Sequence, residues 1–224
     1  MWRWLSVLPL ALAMGPAAAA DLRYLALGDS YTIGEGVPEA GRWPAQLGIA
    51  LRAKGLALAA PRYVARTGWT TDELATAMDA EEFAPPYDLV SLLIGVNNQY
   101  RGRDPQEYQR EFAALLARAI ALAGGRSGRV FVLSIPDWGV TPFAAGSDRD
   151  AAQVARELDA YNALALVECR RMGVAFVDIT PLSRGVARAE LTGDGLHPSD
   201  AQYARWASTA TPVVAALLAP PARP

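Results

Sequence analysis

The sequence predicts a single α/β domain in which helices cover both faces of a five-stranded parallel sheet. Short apolar segments alternate with longer segments of helical periodicity five times along the chain. The strand segments are apolar almost throughout, as strands covered on both faces are. With 224 residues, 52% of them hydrophobic, and no internal repeat, the chain has the length and composition of one folded domain.

The first 20 residues have the composition of a secretory signal peptide. One basic residue precedes an apolar stretch, and Ala18 and Ala20 stand where an A-x-A cleavage site requires small residues. The stretch is shorter than the ~20 residues that a membrane span needs, although an uncleaved N-terminal anchor is the alternative. We therefore expect 1–20 to be removed, 21–218 to form the domain and 219–224 to be a loose tail. Export to the periplasm or the medium follows, with no membrane span in the mature chain.

The strand and helix segments follow one another in a regular order. Thr70 and Glu73 make a capping box that opens the second helix, and Gly173 closes the fourth. Pro212 interrupts the pattern of the fifth helix and predicts a kink or a restart there. The predicted strands are 22–27, 62–65, 87–94, 129–135 and 174–178, and the predicted helices are 43–54, 70–80, 105–123, 150–172 and 199–218.

The composition excludes several functional classes. A formal net charge of −2 argues against a surface that binds nucleic acid. The only Cys and the only His are Cys169 and His197, so an intrachain disulfide and a metal site built from several Cys and His ligands are excluded. For Cys169 we expect a buried unreactive thiol. The phosphate-binding and dinucleotide-binding glycine motifs are absent, which disfavours a nucleotide-binding protein.

Three candidate residues follow the first three strands, at the sheet edge where parallel α/β proteins bind ligands. Ser30 ends a Gly-Asp-Ser turn into a helix start, a setting that suits a nucleophilic hydroxyl, with a helix cap as the alternative. Gly68 can offer an unobstructed backbone N–H or simply ease a turn. The Asn97 amide can donate to an oxyanion or form an ordinary Asn turn.

The loop before the last helix supplies a possible acid–base pair. Asp194 precedes His197 by three residues. This spacing lets the carboxylate bind Nδ1 of the imidazole, which leaves Nε2 free to accept a proton. Taken alone, the segment is equally consistent with a solvated Asp and His.

Together these segments resemble the SGNH hydrolases, also called GDSL lipases or acylhydrolases, over the whole mature chain and in the family's order. The resemblance implies a flavodoxin-like three-layer fold and an ester hydrolase that needs no metal and no organic cofactor. It also implies a triad of Ser30, His197 and Asp194, an acyl-Ser30 intermediate, and an oxyanion hole formed by Ser30, Gly68 and Asn97. The four signature residues are Ser30 in GDS, Gly68, Asn97 in GVNN and His197 in DGLH.

Two positions depart from the family's pattern. Tyr31 stands where the family name expects Leu, and Asn98 stands where an Asp often follows the signature Asn. We expect residue 98 to support its turn rather than to take part in the chemistry, so the role of Asn97 is retained.

The sequence indicates the substrate less precisely than it indicates the reaction. Arginine and aromatic side chains near the strand ends would suit a lysophospholipid or another small or single-chain ester. A carbohydrate acetylesterase with the same triad, and an inactive secreted binding module, are the alternatives. No partner other than a small-molecule or lipid ester is indicated, and no oligomeric state is assigned. The candidate substrate-binding residues are Trp69, Tyr100, Arg101, Trp138 and Phe143.

Overall fold

The computed structural model describes residues 21–219, and its centre is a five-stranded parallel sheet. The strands are β1 (Tyr24–Gly28), β2 (Arg62–Ala65), β3 (Leu89–Leu93), β4 (Val130–Leu133) and β5 (Ala175–Val177). Their order across the sheet is β2-β1-β3-β4-β5, with every neighbouring pair parallel. The predicted fold class is confirmed.

The burial of the strands explains their composition. All residues of β1, β3 and β4 are buried, whereas β2 and β5 at the two sheet edges are partly exposed. A central strand covered on both faces has no polar side to present, which is why these segments are apolar without alternation.

The helices pack in two groups. The long helices are α2 (Trp43–Arg52), α3 (Thr71–Ala80), α5 (Pro105–Leu122), α7 (Ala151–Met172) and α9 (Asp200–Leu218). Helix α2 packs against α9, and α5 packs against both α3 and α7. Right-handed crossovers place these two groups on opposite faces of the sheet, which gives the three-layer arrangement.

Four short helices lie at or near strand ends, and the sequence predicted only the start of the first, after the Gly-Asp-Ser turn. They are α1 (Ser30–Ile33), α4 (Val96–Tyr100), α6 (Pro142–Ala145) and α8 (Thr180–Arg184). One helical turn is too short to show a hydrophobic period, so only the local capping and the surrounding packing define it.

The last helix differs from its prediction at Pro212. Helix α9 runs through this residue as one element, with no restart. Proline removes one hydrogen bond of the helix ladder, and the packing of α9 on α2 and on the sheet compensates for that loss.

Cys169 is free and fully buried in α7, as predicted. Burial, with the nearby charge of Glu168, raises the pKa of its thiol to about 12. Such a thiol stays protonated at neutral pH and is a poor nucleophile.

The predicted signal peptide and most of the predicted tail lie outside the described residues. Within residues 21–219, no helix combines the length and the apolar composition that crossing a membrane requires.

Candidate active site

The Gly-Asp-Ser turn joins the end of β1 directly to the short helix α1. Asp29 caps this helix, because its Oδ1 accepts a hydrogen bond of 3.0 Å from the backbone N–H of Tyr31. Ser30 is the first residue of α1 and is largely buried. The turn therefore holds the hydroxyl at the carboxyl end of a central strand, as predicted from the sequence.

The Asp29 carboxyl beside this serine is in an unusual environment. It is fully buried, and its Oδ2 finds no partner among residues 21–219. Burial raises its pKa to about 7, although hydrogen bonds from the backbone N–H groups of Tyr31 and of Asp29 itself lower it. The carboxyl next to the candidate nucleophile thus changes charge near neutral pH.

Gly68 lies in the connection between β2 and α3. Its φ of +88° belongs to the left-handed region that glycine adopts without strain. Its carbonyl oxygen accepts a hydrogen bond of 2.7 Å from Arg101, which also pairs with Glu73 at 3.1 Å. These bonds anchor the turn to α3 and to the end of α4.

The two asparagines after β3 have different tasks. The Nδ2 of Asn97 donates to the Trp69 carbonyl at 2.9 Å, which fixes the amide; its second N–H has no partner among residues 21–219. Asn98 is fully buried and bonds twice to Thr71, from Nδ2 to Oγ1 at 2.6 Å and from the Thr71 N–H to Oδ1 at 3.1 Å. Asn98 ties α4 to the start of α3, the supporting role expected of this position.

The loop before α9 forms a tight acid–base pair. Nδ1 of His197 lies 2.6 Å from Oδ2 of Asp194. The other carboxylate oxygen accepts hydrogen bonds from the N–H groups of Leu196 and His197 and from the Thr192 hydroxyl, at 2.8, 3.0 and 2.7 Å. Each of the three donors comes from within three residues of Asp194, so the carboxylate is oriented by its own loop.

The charge state of Asp194 follows from these contacts. Burial alone would raise its pKa, but the hydrogen bonds from His197, Leu196 and Thr192 outweigh burial and hold the pKa well below its usual range. An ionised carboxylate only accepts, so Nδ1 carries the imidazole hydrogen and Nε2 has a free lone pair.

The four signature residues line one cavity of about 170 Å³. Among residues 21–219, neither the Ser30 hydroxyl nor Nε2 of His197 has a hydrogen-bond partner, so both groups are available to a substrate. No group of three His, Cys, Asp or Glu side chains in this part of the chain is arranged to hold a metal ion. The cavity is lined by Ser30, Tyr31, Thr67, Gly68, Val96, Asn97, Tyr100, Trp138, Phe143, Leu196 and His197.

The predicted substrate-binding residues separate into two groups. Tyr100, Trp138 and Phe143 line the cavity and contact one another, with ring centroids 5.3 to 6.3 Å apart. Trp69 and Arg101 are not among the lining residues; the Trp69 ring packs against the core, and the Arg101 guanidinium is engaged by Gly68 and Glu73.

Four lining residues were missed by sequence reasoning, and each is a chain neighbour of a signature residue. Tyr31 is the most prominent, because its ring centroid lies 5.5 Å from that of His197 and 5.9 Å from that of Trp206. Adjacency in the sequence was the available signal for all four. They are Tyr31, Thr67, Val96 and Leu196.

The family to which the sequence is assigned agrees with this arrangement of the site residues. The GDSL-like lipase/acylhydrolase family model matches residues 26–205, most of the chain. The chain belongs to the GDSL-like lipase/acylhydrolase family. Membership makes it a serine ester hydrolase and confirms the resemblance found in the sequence. No functionally curated protein matches its sequence.

Solved structures share the fold of this GDSL-family hydrolase. TesA is 24% identical, with a TM-score of 0.67 over 88% of this chain and 99% of its own. A lipase/acylhydrolase from Enterococcus faecalis is 20% identical, with a TM-score of 0.66 over 90% and 100%. The acetylxylan esterase Axe2 from Geobacillus stearothermophilus is 21% identical, with a TM-score of 0.64 over 86% and 94%. At these identities the likeness shows the common fold.

Proposed function

We propose that this GDSL-family hydrolase cleaves carboxylic esters or thioesters through an acyl-Ser30 intermediate. Oγ of Ser30 attacks the acyl carbonyl while Nε2 of His197 accepts its proton, which then passes to the leaving alcohol or thiol. Water, deprotonated by the same Nε2, cleaves the acyl-Ser30 bond and releases the acid. The convergence of the four signature residues on one cavity supports this mechanism most directly.

In this mechanism Asp194 orients His197 and stabilises the imidazolium that forms when the serine proton is taken up. The short contact of 2.6 Å to Nδ1 supports this role. Since the Asp194 pKa is held low, the carboxylate remains ionised in weak acid. The imidazole of His197 must be neutral to accept the serine proton.

We assign the stabilisation of the negative charge on the tetrahedral intermediate to three hydrogen-bond donors. They are the backbone N–H groups of Ser30 and Gly68 and the side-chain amide of Asn97. The positive φ of Gly68 and the bond from Asn97 to the Trp69 carbonyl hold both groups in place before substrate binds. Donors fixed in advance lower the barrier because they need no reorganisation during the reaction.

We further propose a small or single-chain acyl substrate. The aromatic wall formed by Tyr100, Trp138 and Phe143 supports an apolar acyl group in the cavity. The engagement of Arg101 by Gly68 and Glu73 makes it a support of the turn rather than a ligand for a substrate phosphate.

A carbohydrate acetylesterase is the second candidate. Tyr100 and Phe143 are 47% and 39% exposed, and partly exposed aromatic residues suit the stacking of a sugar. Axe2, one of the structures with this fold, is an acetylxylan esterase. Product analysis with a lysophospholipid and with an acetylated xylo-oligosaccharide separates the two candidates. A single-chain acyl hydrolase releases free fatty acid from the first substrate, whereas a carbohydrate acetylesterase releases acetate from the second.

Covalent labelling tests the mechanism itself. A fluorophosphonate should label the folded protein at Ser30, and Ser30→Ala should abolish labelling because the probe reacts with an activated serine. Ser208→Ala, at an exposed position on α9, is the matched control and should be labelled normally. A folded wild-type protein that resists labelling would instead be the inactive binding module.

Export is proposed on the sequence of residues 1–20 alone, which lie outside the described residues. N-terminal sequencing of protein recovered from the periplasm or the medium should begin at Asp21. Recovery of the chain with Met1 in place from those fractions would contradict cleavage.

A further inference from the structure

Trp138 separates the candidate active-site cavity from a partly buried polar network. Its indole lines the cavity, yet the residue is only 2% exposed. The indole Nε1 donates a hydrogen bond of 2.8 Å to Oε1 of Gln99. The position of this wall of the cavity therefore depends on a side chain that does not itself line it.

Gln99 is held at both ends of its amide. It is 2% exposed, and its Nε2 donates to Oε2 of Glu157 at 2.6 Å. Glu157 also accepts from Arg149 at 2.9 Å and from Gln153 at 2.7 Å. Burial raises the pKa of Glu157, but these hydrogen bonds and the Arg149 charge bring it below its usual value, so the acceptor stays ionised.

Arg149 adds a second contact to the same indole. Its guanidinium carbon lies 5.8 Å from the Trp138 ring centroid, within the range of a cation–π interaction. Its Nη1 donates to the Tyr100 carbonyl at 3.3 Å. The indole is thus held at its edge by Gln99 and on its face by Arg149, and a rotation of the ring would leave a buried donor and a buried acceptor unpaired.

We infer that Gln99 is a positioning residue that determines acyl-chain specificity by fixing Trp138, with Glu157 and Arg149 as its supports. This inference rests on the proposed ester hydrolysis. An acetyl group ends near the reacting carbonyl, whereas a longer chain must contact the aromatic wall. A wall fixed before binding favours that longer apolar chain, because no ordering of the indole is needed when it binds.

The test compares p-nitrophenyl hexanoate with p-nitrophenyl acetate. In Gln99→Leu, the hexanoyl-to-acetyl ratio of kcat/KM should fall roughly tenfold, the low end of what a hydrophobic pocket gains per methylene. The fall should come mainly from a higher KM for the hexanoyl ester, because the change affects binding of the chain rather than the triad. A merely structural defect would lower kcat for both esters together.

Gln153→Leu is the matched control. It removes the hydrogen bond of another glutamine to the same Glu157, at an exposed position that makes no hydrogen bond to Trp138. Its ratio should equal that of the wild type. An unchanged or increased ratio in folded Gln99→Leu, or an equal fall in the control, would overturn the inference.

A second variant examines the same hydrogen bond from the other side. Trp138→Phe keeps an aromatic ring but lacks Nε1, so its hexanoyl-to-acetyl ratio of kcat/KM should also fall. Adding Gln99→Leu to this variant should cause no further fall in the ratio. Multiplying effects in the double variant would show that the Trp138–Gln99 bond is not the cause. Fluorophosphonate labelling separates the two hypotheses: unlabelled wild type defeats the proposed function, whereas labelled variants with unchanged ratios defeat only the role of Gln99.

Discussion

At the residue scale, His197 is held by two very different neighbours. Asp194 binds Nδ1 at 2.6 Å, and the ring of Tyr31 packs against the imidazole with centroids 5.5 Å apart. Tyr31 directly follows Ser30, so one residue links the nucleophile turn to the histidine loop. The departure from the family's Leu at this position therefore places an aromatic face beside the proposed base.

Replacing Tyr31 tests this contact. Tyr31→Leu should lower kcat by about 2- to 30-fold, since the imidazolium formed in the transition state loses a cation–π interaction of roughly 0.5–2 kcal/mol. Steady-state kinetics of the wild type and the variant measure this loss of kcat.

Tyr31→Phe is the control, because it keeps the ring and removes only the hydroxyl. That hydroxyl has a raised pKa through burial and the charges of Asp29, Asp194 and Asp137, so it stays neutral and its loss should leave kcat nearly unchanged. Equal losses in the Leu and Phe variants would point to the hydroxyl and contradict a role of the ring.

At the scale of elements, the nucleophile turn depends on close packing between β1, α1 and β3. A Cβ at Gly28 would lie 2.2 Å from Oγ1 of Thr32 and 2.3 Å from the carbonyl oxygen of Leu93. The second contact is with the backbone of a central strand, which cannot move aside without disturbing the sheet. Glycine at this position thus allows Ser30 to follow the strand end directly.

Gly28→Ala should therefore destabilise the protein by about 1–3 kcal/mol, the usual effect of overpacking a filled interior. Fluorophosphonate labelling of Ser30 should slow as well, since the turn that carries it is displaced. Thermal unfolding and labelling rates measure the two effects.

Gly48→Ala provides the comparison within α2. A Cβ there meets nothing within 4 Å, so alanine should stabilise the helix by roughly 0.5–1 kcal/mol. A Gly28→Ala protein as stable as the wild type would show that the sheet yields at this point and that the turn is not closely packed.

At the scale of the whole molecule, two carboxyls of the site have opposite effects on stability. The lowered pKa of Asp194 adds stability that is present above its ordinary value of 3.8 and is lost as the pH falls toward the folded value. The raised pKa of Asp29 has the opposite effect. The stability that it adds is fully present below pH 3.8 and is lost as the pH rises through about 7.

Between about pH 5 and pH 8, of these two carboxyls only Asp29 makes stability depend on pH. Over this range the Tm of the wild type should therefore fall by several degrees as the pH rises. Asp29→Asn keeps an oxygen for the Tyr31 N–H but cannot ionise. The variant should show a smaller decrease in Tm over this range, measured by calorimetry at each pH. Identical pH dependence in the two proteins would mean that folding does not raise the pKa of Asp29.

The sequence by itself determined the succession of strands and helices and the family. Strand 87–94 was recognisable because a strand covered on both faces is apolar almost throughout, and helices such as α3 carry their start signal within one turn. The pairing of Asp194 with His197 could also be anticipated, since the two residues share one short loop. All these features depend on interactions within a few residues of the chain.

Only the tertiary structure decided which side chains meet at the cavity. Trp138 and Phe143 line it while Trp69 and Arg101 do not, although all four follow strand ends. The bond from Trp138 to Gln99 joins residues 39 positions apart. Such contacts follow from the order of the strands and the packing of helices across the sheet, and these depend on how the whole interior is filled rather than on any local pattern.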